Sequence, residues 1–155
     1  IDDKVVEDVT RAQEDLKRFL KELSFSVEEI QEIFKIIENI SFSKEIENGK
    51  AELTLVGQIV QDADRIDALG AIGILRTAYY GGHTQSPLYD PNTAPQEFKS
   101  KQEYRKKSTV INHFYEKLFK LPATMNTQAG KKEAQKRMHF MEEFLKRFYA
   151  EWDLS

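Results

Sequence analysis

Hydrophobic residues recur along much of the chain at intervals of three and four positions, which is the pattern of helices that bury one face. The pattern predicts helices over residues 4–23, 27–37, 53–79, 108–120 and 131–152. No stretch alternates polar and apolar residues as a strand would, and the chain has no internal repeat. We therefore predict an all-α fold.

Local signals predict several helix boundaries. Ser26 and Glu29 have the spacing of a capping box, in which each side chain accepts a hydrogen bond from the other residue's backbone amide. Residues 41–52 are polar and predict a loop. Residues 81–103 hold three of the four prolines and predict a long connection, a kind of segment that often carries function. Pro122 is expected to end the helix that begins near residue 108.

Length and composition predict one domain in the cytoplasm. The chain has 155 residues, of which 40% are hydrophobic, enough for one core and too few for two. A net charge of −3 gives no bias toward nucleic acid or anionic lipid. The sequence shows neither a membrane span nor a secretory leader, and the absence of cysteine excludes disulfides, thiolate metal sites and thiol catalysis.

Three aspartates are crowded into the predicted helix 53–79. On a regular helix its core face would carry Ile59, Ala63, Ile66, Gly70 and Ile74. Asp67 would then lie inside that face, Asp64 at its edge and Asp62 almost opposite Asp64. A buried carboxylate needs a cation, a metal or hydrogen-bond donors nearby. Asp64 and Asp67 are therefore expected to point into one cavity.

A structural explanation of the same aspartates is equally open. Asp62 and Arg65 would form a solvated ion pair, and Asp67 would cap the end of a neighbouring helix. Ion pairs of this kind are common, and the spacing of the residues does not decide between the two interpretations.

A second polar face follows residues 108–120. Thr109, His113 and Lys117 lie four residues apart beside the apolar stripe, and imidazole and ammonium groups at this spacing suit phosphate oxygens. The alternative is that His113 is an interior histidine with its hydrogen bonds satisfied and Lys117 a surface residue. A similar choice, between stacking on a base and ordinary packing, applies to the aromatic residues around the long connection, Tyr79, Tyr80 and Tyr89.

Five segments, in this order, resemble the HD-domain phosphohydrolases, in particular the small bacterial branch that includes nucleotide pyrophosphohydrolases. They are ISFS (40–43), IVQDADRIDALGAIGILRTAYYGG (59–82), LYD (88–90), STVINHFYEKLFKLPATMNT (108–127) and RMHFMEEFLKRFYAEW (137–152). The resemblance implies a single-domain helical bundle of the HD type. It also implies a cytoplasmic, metal-dependent enzyme that uses metal-activated water to hydrolyse a nucleotide or another phosphate ester.

The resemblance also implies roles for individual residues. The family binds its metal through a histidine, an adjacent His-Asp pair and a distant aspartate, which Asp64 matches; Asp62 is the alternative if the register differs. Asp67 would orient a ligand or a water molecule. The metal would be manganese, magnesium, iron or zinc. The basic residues expected to contact phosphate are Lys4, Arg65, Arg76, His113 and Lys117, with Arg65 pointing away from the predicted core.

The sequence departs from the family pattern in two places. It has no early histidine and no His-Asp pair, and Ile40 stands where some relatives carry a histidine. Ile1 corresponds to the position just after these ligands in relatives. Residues 1–155 are therefore expected to be the C-terminal portion of one HD-type domain. This portion alone is expected to bind metal poorly and to be inactive.

A rival interpretation is a noncatalytic helical interaction module, which needs no metal ligands. Neither nucleic acid nor a membrane is an expected partner, because the net charge is negative and no basic stripe is present. The sequence leaves an oligomer open.

Overall fold

The computed structural model describes residues 8–97 and 108–153, so the predicted site residue Lys4 lies outside it. Within those residues the chain forms helices and no strand, which confirms the all-α prediction. In chain order the elements are α1 (Val9–Glu22), α2 (Val27–Asn39), α3 (Phe42–Asn48), α4 (Leu55–Asp67), α5 (Gly70–His83), α6 (Val110–Glu116), a 3-10 helix (Leu118–Thr124) and α7 (Gln128–Trp152).

Polar side chains cap the starts of five helices, because each accepts a hydrogen bond from an amide that the helix itself cannot satisfy. At α2 the predicted capping box is confirmed: the Ser26 hydroxyl accepts from the Glu29 amide at 3.2 Å, and the Glu29 carboxylate accepts from the Ser26 amide at 2.8 Å. The other four capping residues are Asp8, Thr54, Thr109 and Thr127.

The predicted loop 41–52 is wrong in part, because it contains the short helix α3. Phe42 at its start packs against the hydrophobic core, and Gly49 ends it with a φ of +76°. Seven residues are too few to show a helical hydrophobic period, which is why the composition of the segment favoured a loop.

The predicted helix 53–79 is two helices, α4 and α5, that meet at a corner. Gly70 begins α5 with a φ of +76°, outside the range of a right-handed helix and readily reached only by glycine. Its amide donates to the Met141 sulfur at 3.1 Å instead of to a helical carbonyl. The chain therefore turns between Asp67 and Gly70, and α5 continues to His83, further than predicted.

Helix α6 ends earlier than predicted, and α7 begins earlier. Lys117 leaves the helical region with a φ of −134°, and the chain continues as a 3-10 helix that contains Pro122 rather than stopping at it. Helix α7 starts at Gln128 because the Thr127 hydroxyl accepts from the Gly130 amide at 2.9 Å.

The core lies between α6, the 3-10 helix, α7 and the start of α5. Its fully packed members are Leu69, Ile111, Phe114, Leu118, Leu121, Met125, Ala134, Met141 and Leu145. On α7 the apolar residues that repeat at three and four positions are buried at Ala134, Met141 and Leu145, whereas Trp152 at the end of the helix is 41% exposed. None of the helices formed by the described residues combines the length and the apolar character that crossing a membrane requires.

The long connection is fastened to α6 over its described part. The buried carboxylate of Glu116 accepts from the Gln96 amide at 3.0 Å and from the Ser108 hydroxyl at 2.8 Å. The Asn112 side chain donates to the Thr93 carbonyl at 2.9 Å. These buried polar contacts fix the segment before residue 98 on the helix that carries His113.

Replacing Gly70 with alanine should destabilise the protein, because the residue keeps a positive φ and its Cβ would lie 3.2 Å from the Arg137 Cγ. We expect a loss of about 1–2 kcal/mol of unfolding free energy in urea titrations followed by circular dichroism. Gly82→Ala is the matched control: nothing lies within 4 Å of its Cβ, and alanine favours a helix. Equal effects of the two substitutions would contradict the account of the α4–α5 corner.

Candidate functional site

Helix α4 buries several polar residues and exposes most of its large apolar ones. The residues that it buries are Gly57, Gln61, Asp62 and Arg65, with Asp62 3% and Arg65 2% exposed. Ile59 is 53% exposed, and Ala63 also lies on the open side. The predicted core face was therefore wrong at Ile59 and Ala63, whereas Ile66 and Ile74 pack against the core and Gly70 is buried, as predicted.

Asp62 is bonded to the residues that begin α7. Its Oδ1 accepts from the amide and the side chain of Asn126, at 2.8 and 3.0 Å, and its Oδ2 accepts from the amide and the hydroxyl of Thr127, both at 2.8 Å. Burial favours the protonated carboxyl, but these hydrogen bonds outweigh it and hold the pKa of Asp62 below its ordinary value. The idea that Asp67 caps a neighbouring helix was wrong, since Asp62 occupies that position.

Arg65 is bonded to two further elements. Its Nη1 donates to the Thr124 carbonyl at 2.8 Å, and its Nη2 forms an ion pair with the Glu45 carboxylate on α3. Among the described residues, its Nε is a buried side-chain nitrogen without a hydrogen-bond partner. The solvated Asp62–Arg65 pair considered from the sequence is therefore wrong: both residues are buried and have separate partners.

Asp64 and Asp67 lie on the open side of α4, near cations from α5 and α6. The Asp67 carboxylate forms an ion pair with Arg76, and both side chains are exposed. Lys117, at the end of α6, is partly buried; burial and the charges of Arg76 and Arg65 lower its pKa, while the charge of Asp64 raises it. We call Asp64, Asp67, Arg76 and Lys117 the carboxylate–cation cluster.

The prediction that Asp67 lies inside a core face was wrong, because its side chain is 56% exposed. Asp64 is exposed as well, so the two carboxylates share an open side rather than a closed cavity. His113 lies one turn before Lys117 and is partly buried. The alternative that Lys117 is an ordinary surface residue does not hold, because its side chain is partly buried.

The cluster does not by itself complete a metal site. Over residues 8–97 and 108–153, no group of three or more His, Cys, Asp or Glu side chains converges where a metal ion could bind. Asp67 is paired with Arg76, and both Asp62 oxygens already accept two hydrogen bonds each. Asp64 is therefore the carboxylate of α4 best placed to serve as a ligand.

Large apolar side chains are exposed on the two helices that carry Asp64, Asp67 and Arg76. On α4 and α5 the exposed ones are Leu55, Val56, Ile59, Val60, Ile72, Leu75, Tyr79 and Tyr80. Tyr79 is 84% exposed and is not a core residue. Tyr89, in contrast, is packed edge-on against Phe148, Tyr149 and Trp152 with ring centroids 5.1–5.6 Å apart. For Tyr89 the packing interpretation is thus the correct one.

The two clearest clefts lie elsewhere. One, of about 390 Å³, is lined by Leu69, Gly70, Ala71, Ile72, Glu133, Lys136, Arg137 and Phe140. The other, of about 300 Å³, is lined by Tyr115, Phe119, Glu142, Leu145, Lys146 and Tyr149. Neither includes a residue of the carboxylate–cation cluster. The site predicted from the sequence is therefore not part of either cleft.

Sequence reasoning missed the residues that hold α4 in place. Glu45 was assigned to a loop, and Asn126 and Thr127 were quoted only as part of a motif. One signal could have found the second pair: Thr127 precedes a strongly helical pattern, as a capping residue does. Nothing nearby in the sequence links Glu45 to Arg65.

Solved structures of similar proteins share this fold. A protein from Lactobacillus plantarum is 46% identical with a TM-score of 0.86, and the match covers 97% of this chain and 71% of that one. An HD-superfamily hydrolase from Bacillus thuringiensis is 38% identical with a TM-score of 0.70, covering 96% and 66%. Bacillus subtilis YpgQ in complex with ADP is 25% identical with a TM-score of 0.74, covering 97% and 67%.

Curated sequences give the same picture over a shorter span. YpgQ is 31% identical over 119 residues, which are 77% of this chain and 51% of YpgQ. Protein L803 of Acanthamoeba polyphaga mimivirus is 32% identical over 101 residues, 57% of this chain and 41% of that protein. The chain thus spans about half the length of these relatives. No protein-family model matches it. The structural similarity confirms the predicted resemblance to HD-domain proteins.

Replacing Asp62 with asparagine should lower the free energy of unfolding by about 2–4 kcal/mol at pH 7, because an amide cannot accept all four hydrogen bonds. Folding lowers the pKa of Asp62, so its stabilisation is complete above the unfolded value of about 3.9 and is lost as the pH falls through the folded value. Urea titrations between pH 2 and 7 should show the difference from the parent shrinking in acid.

The control for this substitution is Asp15→Asn, which removes an exposed carboxylate paired with Arg18. It should change stability by less than about 1 kcal/mol at any of these pH values. A constant gap between Asp62→Asn and the parent from pH 2 to 7 would show that the Asp62 carboxylate is not the source of the effect.

Proposed function

Because the chain belongs to the family of the HD-superfamily hydrolases, we propose that it is part of a metal-dependent phosphohydrolase that acts on a nucleotide or another phosphate ester. The similarity to the Bacillus thuringiensis hydrolase supports hydrolytic function in general. The observation that carries the narrower proposal is the carboxylate–cation cluster, in which Asp64 and Lys117 lie close enough for the carboxylate to affect the lysine pKa. An aspartate for a metal and cations for phosphate are the groups that this chemistry needs.

The proposed cofactor is a divalent metal with Asp64 as its ligand from this chain. Manganese, magnesium, iron and zinc all accept carboxylate oxygen. Since the described residues do not complete a metal site, we propose that the remaining ligands come from outside them and that residues 1–155 are the C-terminal portion of one HD-type domain. The apolar side chains exposed on α4 and α5 support this, because exposed apolar residues are suited to packing against further helices.

Arg76 and Lys117 are the proposed phosphate contacts. Lys117 is partly buried near the carboxylate of Asp64, and its ammonium group can donate charge-assisted hydrogen bonds to a phosphate oxygen. Arg76 is held by Asp67, which leaves guanidinium donors that can turn toward an anion. His113, one turn from Lys117, is the third candidate. Arg65 is not among them, because its Nη atoms are bonded to Glu45 and Thr124.

A nucleotide is the proposed substrate. The ADP held by Bacillus subtilis YpgQ supports this choice. Within this chain, Tyr79 lies three residues after Arg76 on α5, so both side chains project from the same side of the helix. Its exposed ring could stack on a base whose phosphates reach Arg76. Tyr89 is excluded from that role by its packing on α7.

The specific alternative is a noncatalytic interaction module, which the exposed apolar side chains of α4 and α5 favour. A manganese-dependent assay of phosphate and pyrophosphate release from a panel of nucleoside triphosphates, run on the whole protein that contains these residues, separates the two. Metal-dependent release supports the phosphohydrolase. A folded, metal-loaded protein that releases neither product supports the interaction module.

Asp64→Asn in the whole protein should weaken metal binding by more than about 100-fold, since it removes a direct ligand rather than a supporting residue. Isothermal titration with manganese measures this directly, and turnover should fall in parallel. Stability without metal should change little, because Asp64 is exposed. Asp15→Asn is again the control. Unchanged manganese affinity in Asp64→Asn would contradict the assignment of Asp64 as a metal ligand.

Lys117→Met should lower turnover by about 100- to 1,000-fold, because it removes a charge placed to neutralise the transition state. Thermal stability should stay the same or rise, since folding disfavours the charged form of this lysine, as its lowered pKa shows. Lys120→Met, on an exposed neighbouring residue, is the matched control. If the two variants keep equal activity, Lys117 is not a substrate contact.

A further inference from the structure

Asp62 and Arg65 fasten the buried side of α4 to other parts of the protein. Asp62 is bonded to Asn126 and Thr127, and Arg65 to Thr124, so both side chains hold the same short segment before α7. Arg65 also reaches Glu45 on α3. Beside them, Gln61 donates to the Asn39 carbonyl at 2.9 Å and accepts from the Asn126 side chain at 2.9 Å.

Within the described structure, this helix packs one large apolar residue, Ile66, against the core. Its four aliphatic side chains before Gln61, namely Leu55, Val56, Ile59 and Val60, are each at least 40% exposed. A helix oriented by hydrophobicity alone would bury them and expose Asp62 and Arg65. Polar contacts with fixed partners, together with the packing of Ile66, therefore determine which side of α4 faces inward.

The rotation of α4 decides where the two exposed aspartates point. On a helix Asp64 lies about 160° around the axis from Asp62, so the contacts of Asp62 and Arg65 turn Asp64 and Asp67 toward the open side. A rotation by a single residue, about 100°, would carry Asp64 away from Lys117 and Asp67 away from Arg76.

We propose that Asp62 and Arg65 are positioning residues, which lock the rotation of α4 so that Asp64 and Asp67 meet Arg76 and Lys117. The functional part of this inference rests on the proposed phosphohydrolase activity. The rotational part concerns the protein alone. Buried ionic groups often stabilise a fold no better than apolar residues of similar size, yet they can fix a unique arrangement. Rotation, more than stability, is thus the property that the Glu45–Arg65 pair controls.

The rotation can be measured with two spin labels, because the 155 residues contain no cysteine of their own and any cysteine elsewhere in the whole protein can first be replaced by serine. Ala63→Cys places one label on the open side of α4, and Gln135→Cys places the other on the exposed side of α7. Pulsed electron–electron double resonance on the whole protein then gives the distance between the two labels. The parent should show one narrow distance distribution.

Two variants, called the lock variants, remove the contacts of Asp62 or of Arg65 in different ways. Asp62→Asn keeps the shape of the side chain but cannot accept all four hydrogen bonds. The double variant Glu45→Leu with Arg65→Met replaces the ion pair by apolar groups of similar size and should melt within a few degrees of the parent. Both should shift or broaden the distance distribution by several ångströms, about the displacement that a one-residue rotation gives a surface atom. Ser26→Ala, which removes the α2 capping box, should lower the melting temperature and leave the distance unchanged.

Activity provides the second readout. In both lock variants kcat should fall about tenfold or more while KM changes less, because displaced groups weaken the transition state more than the ground state. Ser26→Ala should keep the parental kcat. An unchanged distance in both lock variants overturns the inference, whatever the activity. A shifted distance with unchanged kcat overturns the functional part, provided that Asp64→Asn is inactive. If Asp64→Asn is itself fully active, the proposed function fails and the rotational lock stands on the distances alone.

Discussion

The position of Asp64 beside Lys117 depends above all on the hydrogen bonds that the Asp62 carboxylate accepts from Asn126 and Thr127, just before α7. These bonds join the helix that carries Asp64 to the helix that supplies three of the nine buried core residues. Lys117 lies between α6 and the 3-10 helix, whose apolar residues share one core with those of α7. The positions of Asp64 and Lys117 are therefore linked both through α7 and through the hydrogen bond from Arg65 to the Thr124 carbonyl in the 3-10 helix.

This arrangement reverses the usual distribution of polar and apolar residues on a surface helix. Asp62 and Arg65 can be buried because donors and acceptors from Glu45, Thr124 and Thr127 meet them inside. The apolar residues of α4 are then left on the open side with the two other aspartates. The inward side of such a helix is oriented by directional hydrogen bonds. Its outward side presents an apolar surface with charged groups.

The sequence predicts most of the fold and only part of the site. The capping box at Ser26, the stripe of α7 and the helical class depend on residues close together in the chain, and the structure confirms them. The orientation of α4 depends on Asn126 and Thr127, more than sixty positions away, so hydrophobic periodicity pointed to the wrong face at Ile59 and Ala63. The α4–α5 corner depends on one glycine at positive φ, which composition alone does not reveal.

Asp62 has a further effect on α7 through its charge. The first turn of this 25-residue helix contains no acidic residue, and Lys131 and Lys132 follow close behind. A negative charge at a helix N-terminus compensates the partial positive charge of the unpaired amides there, and Asp62, whose Oδ2 would lie 2.3 Å from a Cβ at Gly130, supplies that charge from another helix. The N-terminal turn of α7 is thus completed only when α4 docks. Formation of the two helices is coupled, which makes the polar contact at Asp62 a source of folding cooperativity between segments far apart in the chain.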